Sequence, residues 1–235
     1  MLAVTDIRLS SKCRTALIKH GFSILSLPPF SKLDKKVASH PDMLILPLGD
    51  RLFVHKEYYA EAKKEIDAIL SASSLSLTLT DDTVGATYPF DISLNIAVSG
   101  HFLFGRLPHM ANAVIKYAKE TNRQIRDINQ GYAKCSTVTL GDQAIITADP
   151  TMEAAAQANS LPVLRIEEGH VILDGYDHGF IGGASGVYKS TVFFSGDLLS
   201  HPNGSEITRF CQEHGFKVIS LSNELLYDVG TIFFL

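Results

Sequence analysis

The chain has 235 residues, of which 46% are hydrophobic and 20% charged, and its formal net charge is -4. This composition predicts a globular protein, and its slight acidity offers no general attraction for nucleic acid or for an anionic membrane, so we expect neither as a partner. No apolar run approaches the roughly 18 residues of a membrane span, and the N-terminus lacks a basic leader, so we expect a cytoplasmic protein.

The three cysteines are far apart and form no Cys-x-x-Cys pair. The sequence therefore indicates neither a disulfide framework nor a structural zinc site. Cys13 and Cys211 lie in helical patterns, and we expect both to be buried thiols.

A short segment recurs near the two ends of the chain. His20-Gly21-Phe22 and His214-Gly215-Phe216 each follow a helical pattern with a cysteine and precede an apolar strand pattern. The two histidines are 194 residues apart, which equals four units of about 48 residues, so five units fit the chain.

The middle of the chain repeats one order of elements: strand, strand, helix, strand. Asp149 before Pro150 is a helix-start signal. The predicted elements are strands 43–48 and 51–55, helix 60–70 and strand 75–79; strands 94–98 and 102–105, helix 108–119 and strand 124–128; strands 137–140 and 144–147, helix 151–158 and strand 162–166; and strands 179–187 and 191–195, helix 203–214 and strand 216–221.

The two ends are each incomplete, with a strand, a helix and a strand in 1–27 and strands in 228–235. If Thr231–Leu235 pairs with Leu2–Thr5, the ends together complete a fifth unit and no sheet edge is left exposed. We therefore predict one α/β domain over 1–235, a five-fold pseudosymmetric α/β-propeller whose ring is closed by the terminal strands. Its units are 222–235 plus 1–30, 31–80, 81–128, 129–167 and 168–221. Two ordinary α+β domains are the alternative.

In such a ring the residues that precede each first strand converge on the axis. Several carboxylates crowded there raise one another's pKa and suit a cationic ligand such as a guanidinium or ammonium group. We therefore expect a small-molecule ligand. The candidate substrate-binding residues are Tyr88, Asp91, Asn95, Lys134, Asp174, Asp177, His178 and Asp228.

Cys135 is the only cysteine at the start of a unit, and Lys134 beside it would favour the nucleophilic thiolate. His40 and Asp42 could act as an acid/base group and its orienter. In this hypothesis Cys135 attacks an amidine or amide-like carbon, His40 moves protons, and Asp91, Asp174 and Asp177 hold the positive end of the substrate.

Structural explanations stand beside each of these assignments. Cys135 could be a small buried hydrophobic residue, and His40-Pro41-Asp42 a turn in which a side chain caps its own backbone. The glycines of 179–186 could serve close packing alone. His40, Asp42, Asp91 and His178 could bind a divalent ion, but no spacing demands it. We expect no metal and no cofactor.

Five strand-strand-helix-strand units resemble the pentein superfamily, which includes arginine deiminases, dimethylarginine hydrolases, amidinotransferases and a ribosomal anti-association factor. His40-Pro41-Asp42 resembles the His-x-Asp motif of the hydrolases, and Tyr88-Pro89-Phe90-Asp91 is similar to their acidic motif. Leu173-Asp174-Gly175-Tyr176-Asp177 is similar to their Glu-Gly-Gly-Asp motif, and Phe180-Ile181-Gly182-Gly183 to the strand after it.

The chain departs from the hydrolases in two respects. Their nucleophilic cysteine lies near the C-terminus, where this chain reads Tyr227-Asp228-Val229-Gly230-Thr231, and the order of the acidic and histidine motifs differs. The resemblance implies a divergent pentein: a C–N hydrolase or amidinotransferase-like enzyme acting on a cationic, amino-acid-like molecule. The alternative is a non-catalytic ring that binds a protein partner, as the anti-association factor does.

Overall fold

The computed structural model describes residues 1–235 and contains fifteen strands and seven α-helices. None of the helices combines the length and the apolar character that crossing a bilayer requires. The strands are β1 (Leu2–Asp6), β2 (Ser23–Leu27), β3 (Ile45–Leu48), β4 (Arg51–His55), β5 (Ser76–Thr80), β6 (Ala97–Ser99), β7 (Phe102–Gly105), β8 (Gln124–Asp127), β9 (Thr137–Leu140), β10 (Ala144–Thr147), β11 (Val163–Arg165), β12 (Ser185–Tyr188), β13 (Thr191–Phe194), β14 (Lys217–Ser220) and β15 (Phe233–Phe234). The helices are α1 (Ser11–Lys19), α2 (Pro41–Leu44), α3 (Lys56–Glu61), α4 (Lys63–Ala72), α5 (Asn112–Glu120), α6 (Pro150–Ala158) and α7 (Gly204–Glu213).

The strands form five small mixed sheets, each of three strands. In every sheet the central strand pairs antiparallel with one neighbour and parallel with the strand that follows the next helix. The sheets, with the central strand second, are β15-β1-β2, β3-β4-β5, β6-β7-β8, β9-β10-β11 and β12-β13-β14.

The two ends of the chain share a sheet. Ala3 lies opposite Phe234 and Val4 opposite Phe233 in the antiparallel pair of β1 and β15. The backbones of Leu2 and Leu235 exchange two further hydrogen bonds of 2.8 Å. The predicted pairing of the terminal segments is therefore present, although its regular part is shorter than expected.

The first strands of all five sheets border one cavity of about 170 Å³. One lining residue from each of these strands is Leu46, Val98, Thr139, Val187 and Phe233. The segments that precede these strands therefore come from distant parts of the sequence and meet in a small volume.

Helices cover the sheets through their apolar faces. In α4, Ile66 and Ile69 pack in a buried cluster with Leu52 and Val54 of β4. Helix α6 begins as predicted, because the Asp149 carboxylate accepts a 2.8 Å hydrogen bond from the backbone N–H of Met152. Such a cap satisfies a donor that the first turn of a helix leaves free.

Three predicted first strands begin later than expected, because turns precede them. The strand predicted at 43–48 begins at Ile45 after the helical turn α2, the strand predicted at 94–98 begins at Ala97, and the strand predicted at 179–187 begins at Ser185. These turns direct polar side chains inward. An extended strand would instead direct alternate side chains to its two faces.

Two predicted helices also differ. Residues 60–70 belong to two helices, α3 and α4, which meet at Ala62. Pro108 lies in a short 3-10 turn, Leu107–His109, and the α-helix begins only at Asn112. Proline is compatible with either start because its missing N–H would be unpaired in both.

The aromatic rings of Phe22, Phe193 and Phe234 pack together where the two termini pair, and we call this cluster the terminal seam. The ring centroid of Phe234 lies 4.6 Å from that of Phe22 and 5.2 Å from that of Phe193. Phe234→Ala should lower the free energy of unfolding by about 2 kcal/mol, since it removes half-buried apolar area and these ring contacts. Urea denaturation measures the change.

Phe90→Ala is the matched control, because 52% of Phe90 is exposed. It should change the free energy of unfolding by less than about 0.5 kcal/mol. Equal effects of the two substitutions would contradict the role given to the terminal seam.

Candidate active site

A buried thiol, a carboxylate and an amide from three sheets meet in front of the first strands. Asp42 lies on α2 before β3, Asn95 in the turn before β6, and Cys135 in the turn before β9. The Cys135 thiol donates to Asp42 Oδ2 across 3.1 Å, and Asn95 Nδ2 donates to Cys135 Sγ across 3.0 Å. The sulfur is thereby held between one acceptor and one donor.

Asn95 fixes the backbone that carries the thiol. Its Oδ1 accepts from the backbone N–H groups of Lys134, at 2.8 Å, and Cys135, at 3.2 Å. Its Nδ2 also lies 3.3 Å from the backbone oxygen of Asp42. Because protein groups occupy both ends of the amide, the contacts of Asn95 are those of a positioning residue and not of a substrate ligand.

Asp228 supplies a second buried carboxylate. Its oxygens accept from the backbone N–H groups of Phe180, at 2.8 Å, and Gly230, at 2.9 Å. A Cβ added to Gly183 would lie 2.0 Å from Asp228 Oδ1. The glycine at 183 thus serves the close packing of backbone against this carboxylate.

Two further residues of the C-terminal segment, Gly230 and Thr231, contact the residues of the site. Thr231 Oγ1 donates to Asp42 Oδ2 across 2.8 Å. Gly230 has φ of +61°, and a Cβ there would lie 2.2 Å from His40 Cβ. Only glycine fits, since both the left-handed backbone and the contact exclude a side chain.

His40 lies between two carboxylates, but neither is Asp42. Its Nε2 is 3.8 Å from Asp6 Oδ2, and its Nδ1 is 3.9 Å from Asp228 Oδ1. Nε2 is buried without a hydrogen-bond partner. The predicted orientation of His40 by Asp42 is therefore wrong, because the turn of α2 directs Asp42 toward the thiol.

Asp6 at the end of β1 was not predicted. Arg8 binds its carboxylate through Nε and through Nη2, at 2.6 Å, and Ser39 Oγ donates to it across 2.9 Å. Burial alone would raise the pKa of Asp6, but these hydrogen bonds and charges hold it below its usual value. Asp6 is thus an ionised neighbour of His40.

Burial dominates the protonation of the groups in the site. It raises the pKa of Asp42 and of Asp228, and it lowers the pKa of His40, although the two neighbouring carboxylates oppose that change. Burial, together with the charges of Asp42 and Asp228, raises the pKa of Cys135 well above its ordinary value. The thiol is neutral at rest.

Lys134 does not activate the thiol as expected. Its Nζ donates to the backbone oxygen of Thr137 across 3.3 Å, and its side chain borders the cavity between the first strands. Burial lowers the pKa of this amine. Burial and the two carboxylates, which raise the pKa of the Cys135 thiol, therefore have a larger effect on that pKa than the neighbouring amine of Lys134.

A cavity of about 140 Å³ opens onto the thiol. Cys135, His40 and Asp228 line it on one side, and aromatic rings line it on the other. Aromatic faces and carboxylates both attract cations, and they do so more strongly where water is excluded. The aromatic lining residues are Tyr132, Tyr176, Phe180 and His178.

Asp91 and Tyr88 lie behind this aromatic wall. Tyr132 donates its hydroxyl to Asp91 Oδ2 across 2.8 Å, and the ring of Tyr88 lies 5.8 Å from that of Tyr132. Asp91 Oδ1 is buried without a partner, and burial raises the pKa of this carboxyl. The ring of Tyr88 is half exposed. Both predicted residues adjoin the cavity through Tyr132.

Two predicted ligands lie elsewhere. Asp174 and Asp177 are exposed, and Asp174 accepts a 2.7 Å hydrogen bond from the Tyr227 hydroxyl in a different cavity. Leu173, one position earlier, faces the thiol cavity instead. Asp174 begins a turn, which a 3.1 Å hydrogen bond from Tyr176 N to Leu173 O closes, and its side chain lines the other cavity.

Three side chains of the site form a donor set that a metal ion could use. One ring nitrogen of His40, Cys135 Sγ and one oxygen of Asp42 lie within 4.8 Å of one another, and all three residues are buried. Such a mixture of nitrogen, sulfur and oxygen donors suits zinc best among the common ions. Asp42 Oδ1 and His40 Nε2 are both buried without a hydrogen-bond partner.

Other residues of the site escaped sequence reasoning. Tyr132 lies in no motif, and Tyr176 and Thr231 lie in segments that were compared with the hydrolases without being given a role themselves. The roles of all three depend on contacts between segments far apart in the chain. Asp6 gave one usable signal in the sequence, because it is the only charged residue of its strand and ends it. Cys13 and Cys211 are buried thiols, as predicted.

A family described as of unknown function (DUF6873) matches residues 4–233 of the chain. Comparison of the sequence with curated proteins found no match.

Solved structures show the fold. DDAH from Pseudomonas aeruginosa, solved as a cysteine-to-serine mutant with citrulline, superposes with a TM-score of 0.59 at 10% identity, over 94% of this chain and 91% of that one. The amidinotransferase SxtG from Microseira wollei superposes with a TM-score of 0.56 at 14% sequence identity, over 89% of this chain and 72% of that one. The agmatine deiminase of C. jejuni superposes with a TM-score of 0.52 at 9% sequence identity, over 94% of this chain and 86% of that one. The predicted resemblance to the penteins is thus confirmed for the fold.

The raised pKa of Asp42 predicts a pH-dependent cost to stability. A carboxyl whose pKa is higher in the folded than in the unfolded chain binds its proton more tightly when folded, so the free energy of unfolding falls as pH rises between the two values. Asp42→Asn removes this dependence. Its Tm relative to wild type should therefore become more favourable as pH rises from about 4, the ordinary pKa of the carboxyl, until pH passes its raised pKa in the folded protein, by about 3–5 °C per unit of pKa difference.

Thermal unfolding of both proteins across this pH range is the measurement. Asp81→Asn serves as control, because the side chain of Asp81 is 78% exposed. A Tm difference for Asp42→Asn that stays constant with pH, or that moves the other way, would overturn this description of the site.

Proposed function

We propose that this chain, which belongs to the family of unknown function matched over residues 4–233, is a hydrolase or transferase acting on a C–N bond of a cationic guanidino or amide-like small molecule. The shared fold with DDAH, an amidinotransferase and agmatine deiminase supports this class. In this proposal Cys135 is the nucleophile.

One observation carries the proposal. The Cys135 thiol is hydrogen-bonded to the carboxylate of Asp42 at the wall of a cavity that His40, Asp228 and aromatic rings complete. A thiol with an adjacent proton acceptor is the arrangement that nucleophilic catalysis by cysteine requires. Explaining Cys135 as packing alone leaves unexplained why two carboxylates and a histidine are buried beside it, since each is costly to bury.

The cavity suits the charged end of a ligand. About 140 Å³ accommodates an amidinium or guanidinium group, and the rest of the molecule would extend past Tyr176, which is 45% exposed. The cation would stack on Tyr132 and Phe180 and neutralise the charge of Asp228. This assignment replaces Asp174 and Asp177 as the residues that hold the positive end.

Binding of the cation also activates the nucleophile. At rest, burial and two carboxylates keep the thiol protonated. A positive charge placed beside the sulfur favours the thiolate and lowers its pKa. Attack is thereby coupled to the presence of the substrate.

The first half-reaction uses Asp42. The thiol proton passes to Asp42, the sulfur bonds to the guanidino carbon, and the carbon–nitrogen bond to the leaving amine breaks as Asp42 returns the proton to that nitrogen. An amidino group remains on Cys135 and a neutral amine departs. The 3.1 Å separation of Sγ from Oδ2 supports this transfer.

The second half-reaction uses His40. Because burial lowers its pKa, the imidazole is neutral and can accept a proton. It takes that proton from an attacking water in a hydrolase, or from an acceptor amine in a transferase. The carbon–sulfur bond then breaks and the His40 imidazolium returns the proton to the sulfur. The product leaves as a guanidinium in a transferase, or as a protonated urea that gives its extra proton to solvent in a hydrolase. Asp6 and Asp228 stabilise the imidazolium that forms.

We also propose that 1–235 is one domain whose five sheets close into a ring. The pairing of β1 with β15 and the shared cavity of the five first strands support it. No observation favours the non-catalytic ring that binds a protein partner.

Replacement of Cys135 tests the assignment. We expect Cys135→Ser to reduce turnover at least about a thousandfold on any guanidino compound that wild type converts, because the alcohol is a far weaker nucleophile. Release of ammonia or amine and formation of ureido product measure it. Cys211→Ala is the control and should retain turnover. A Cys135→Ser protein with wild-type turnover would refute the proposal.

Chelation distinguishes the nucleophile from a metal ligand. With Cys135 as nucleophile, treatment with EDTA leaves turnover unchanged, and added zinc inhibits because it occupies the thiol, His40 and Asp42. Turnover and metal content of the treated protein are measured together. Loss of turnover on chelation that zinc restores would instead indicate a metalloenzyme.

A further inference from the structure

A second and larger cavity lies directly behind the thiol site. It measures about 760 Å³, within the range of small-molecule sites, and it contains neither Cys135 nor His40. Its lining comes from the loop after β1, from Ile172 and Asp174, from Ser195 after β13 and from the C-terminal segment 223–229.

A single layer of backbone separates the two cavities. Ile172 and Tyr227 are bridged in parallel, with 2.8 Å hydrogen bonds from Ile172 N to Leu226 O and from Asp228 N to Ile172 O. Leu173 and Asp228 face the thiol cavity. Their sequence neighbours, among them Tyr227 and Val229, face the larger cavity. The alternation of an extended segment thus gives the two sites a common wall.

One part of this cavity is positive. Arg8 lines it, and only three of the five guanidinium N–H groups are used by Asp6 and by the backbone oxygen of Lys36. The remaining two N–H groups are free. Ser10, the N-cap of α1, also lines the cavity, so the positive end of that helix lies beside Arg8. This part suits a carboxylate.

Another part is negative and apolar. Asp174 lines the cavity with one oxygen bonded to Tyr227, whereas Glu224, which also lines it, is already paired with Lys12 Nζ at 2.7 Å. Ile172 and Leu225 expose 40% and 59% of their surface there. An ammonium group and an aliphatic side chain match these neighbours.

We propose that this cavity binds a zwitterionic amino acid or short peptide with an apolar side chain, and that its occupancy is coupled to the thiol site through Arg8, Asp6 and His40. The carboxylate binds at Arg8, the ammonium group at Asp174, and the side chain covers Ile172 and Leu225. The ligand does not react.

The coupling follows from the contacts behind the wall. Arg8 is paired with Asp6, whose carboxylate lies 3.8 Å from His40 Nε2. The charge of Arg8 lowers the pKa of His40 in addition to burial. A carboxylate bound on Arg8 offsets that charge and changes the electrostatic potential at His40 and Cys135.

Titration of wild-type protein with L-leucine and the dipeptide of leucine tests the site by calorimetry. We expect saturable binding, and binding at least about tenfold weaker for leucinamide and for N-acetylleucine, which lack the carboxylate and the ammonium group. No saturation by leucine or its dipeptide, or equal binding of all four, would overturn the proposal.

Substitution at the rim is the second test, because replacing Arg8 would also unpair the buried Asp6. Leu225→Ser should weaken leucine binding about tenfold through loss of apolar contact. Leu199→Ser is the matched control, since Leu199 is 67% exposed and does not line the cavity. Equal effects of the two variants would refute the location.

The coupling has its own readout, the rate at which iodoacetamide labels Cys135. Saturating leucine should change this rate in wild type and in Leu199→Ser, but not at the same concentration in Leu225→Ser. Binding without any change in labelling would overturn the coupling and retain the site. None of these measurements requires turnover, so their failure is distinct from failure of the proposed reaction.

Discussion

The buried hydrogen bond between the Cys135 thiol and the Asp42 carboxylate is the interaction on which the rest of the site depends. Neither group can lose its partner cheaply, because a buried carboxylate without hydrogen bonds is strongly destabilising. Thr231 and Asn95 complete the contacts of the pair. Four segments from different sheets are therefore held together by one polar cluster, and the cluster in turn requires those segments to pack closely.

Close packing explains the glycines around the cluster. At Gly183 and Gly230 an added Cβ would collide with Asp228 and with His40, respectively. Glycine loses more conformational entropy on folding than any other residue, but at these positions it allows the backbone to approach the neighbouring side chains closely. A site that buries charge in this way usually stabilises the fold less than a packed apolar core would. Such buried charges are retained where function requires them.

The order of elements could be predicted from the sequence because hydrophobic periodicity and turn residues report local structure. The same repeat period predicted that Asp42, Asn95, Cys135 and Asp228 would meet, and they do. The method works where a residue's position in its unit determines its position in space.

Prediction failed where side-chain direction decided the outcome. Asp174 differs from Leu173 by one position and faces the other cavity, a distinction that a repeat of about 48 residues cannot resolve. The ring nitrogens of His40 lie nearest to Asp6 and Asp228, and the helical turn α2 directs Asp42 toward the thiol instead. The protonation of Cys135 depends on burial, which adjacency to Lys134 in sequence does not reveal.

The central claim is that Cys135 is a nucleophile in a site that attracts cations. The most direct test compares its alkylation by chloroacetamidine, which is cationic, with alkylation by neutral chloroacetamide, using mass spectrometry of Cys13, Cys135 and Cys211 in the folded protein. We expect the cation to label Cys135 at least about tenfold faster than the neutral reagent, relative to their rates with a free thiol, and to leave the other two cysteines unlabelled. Equal relative rates at Cys135, or labelling only after unfolding, would contradict it.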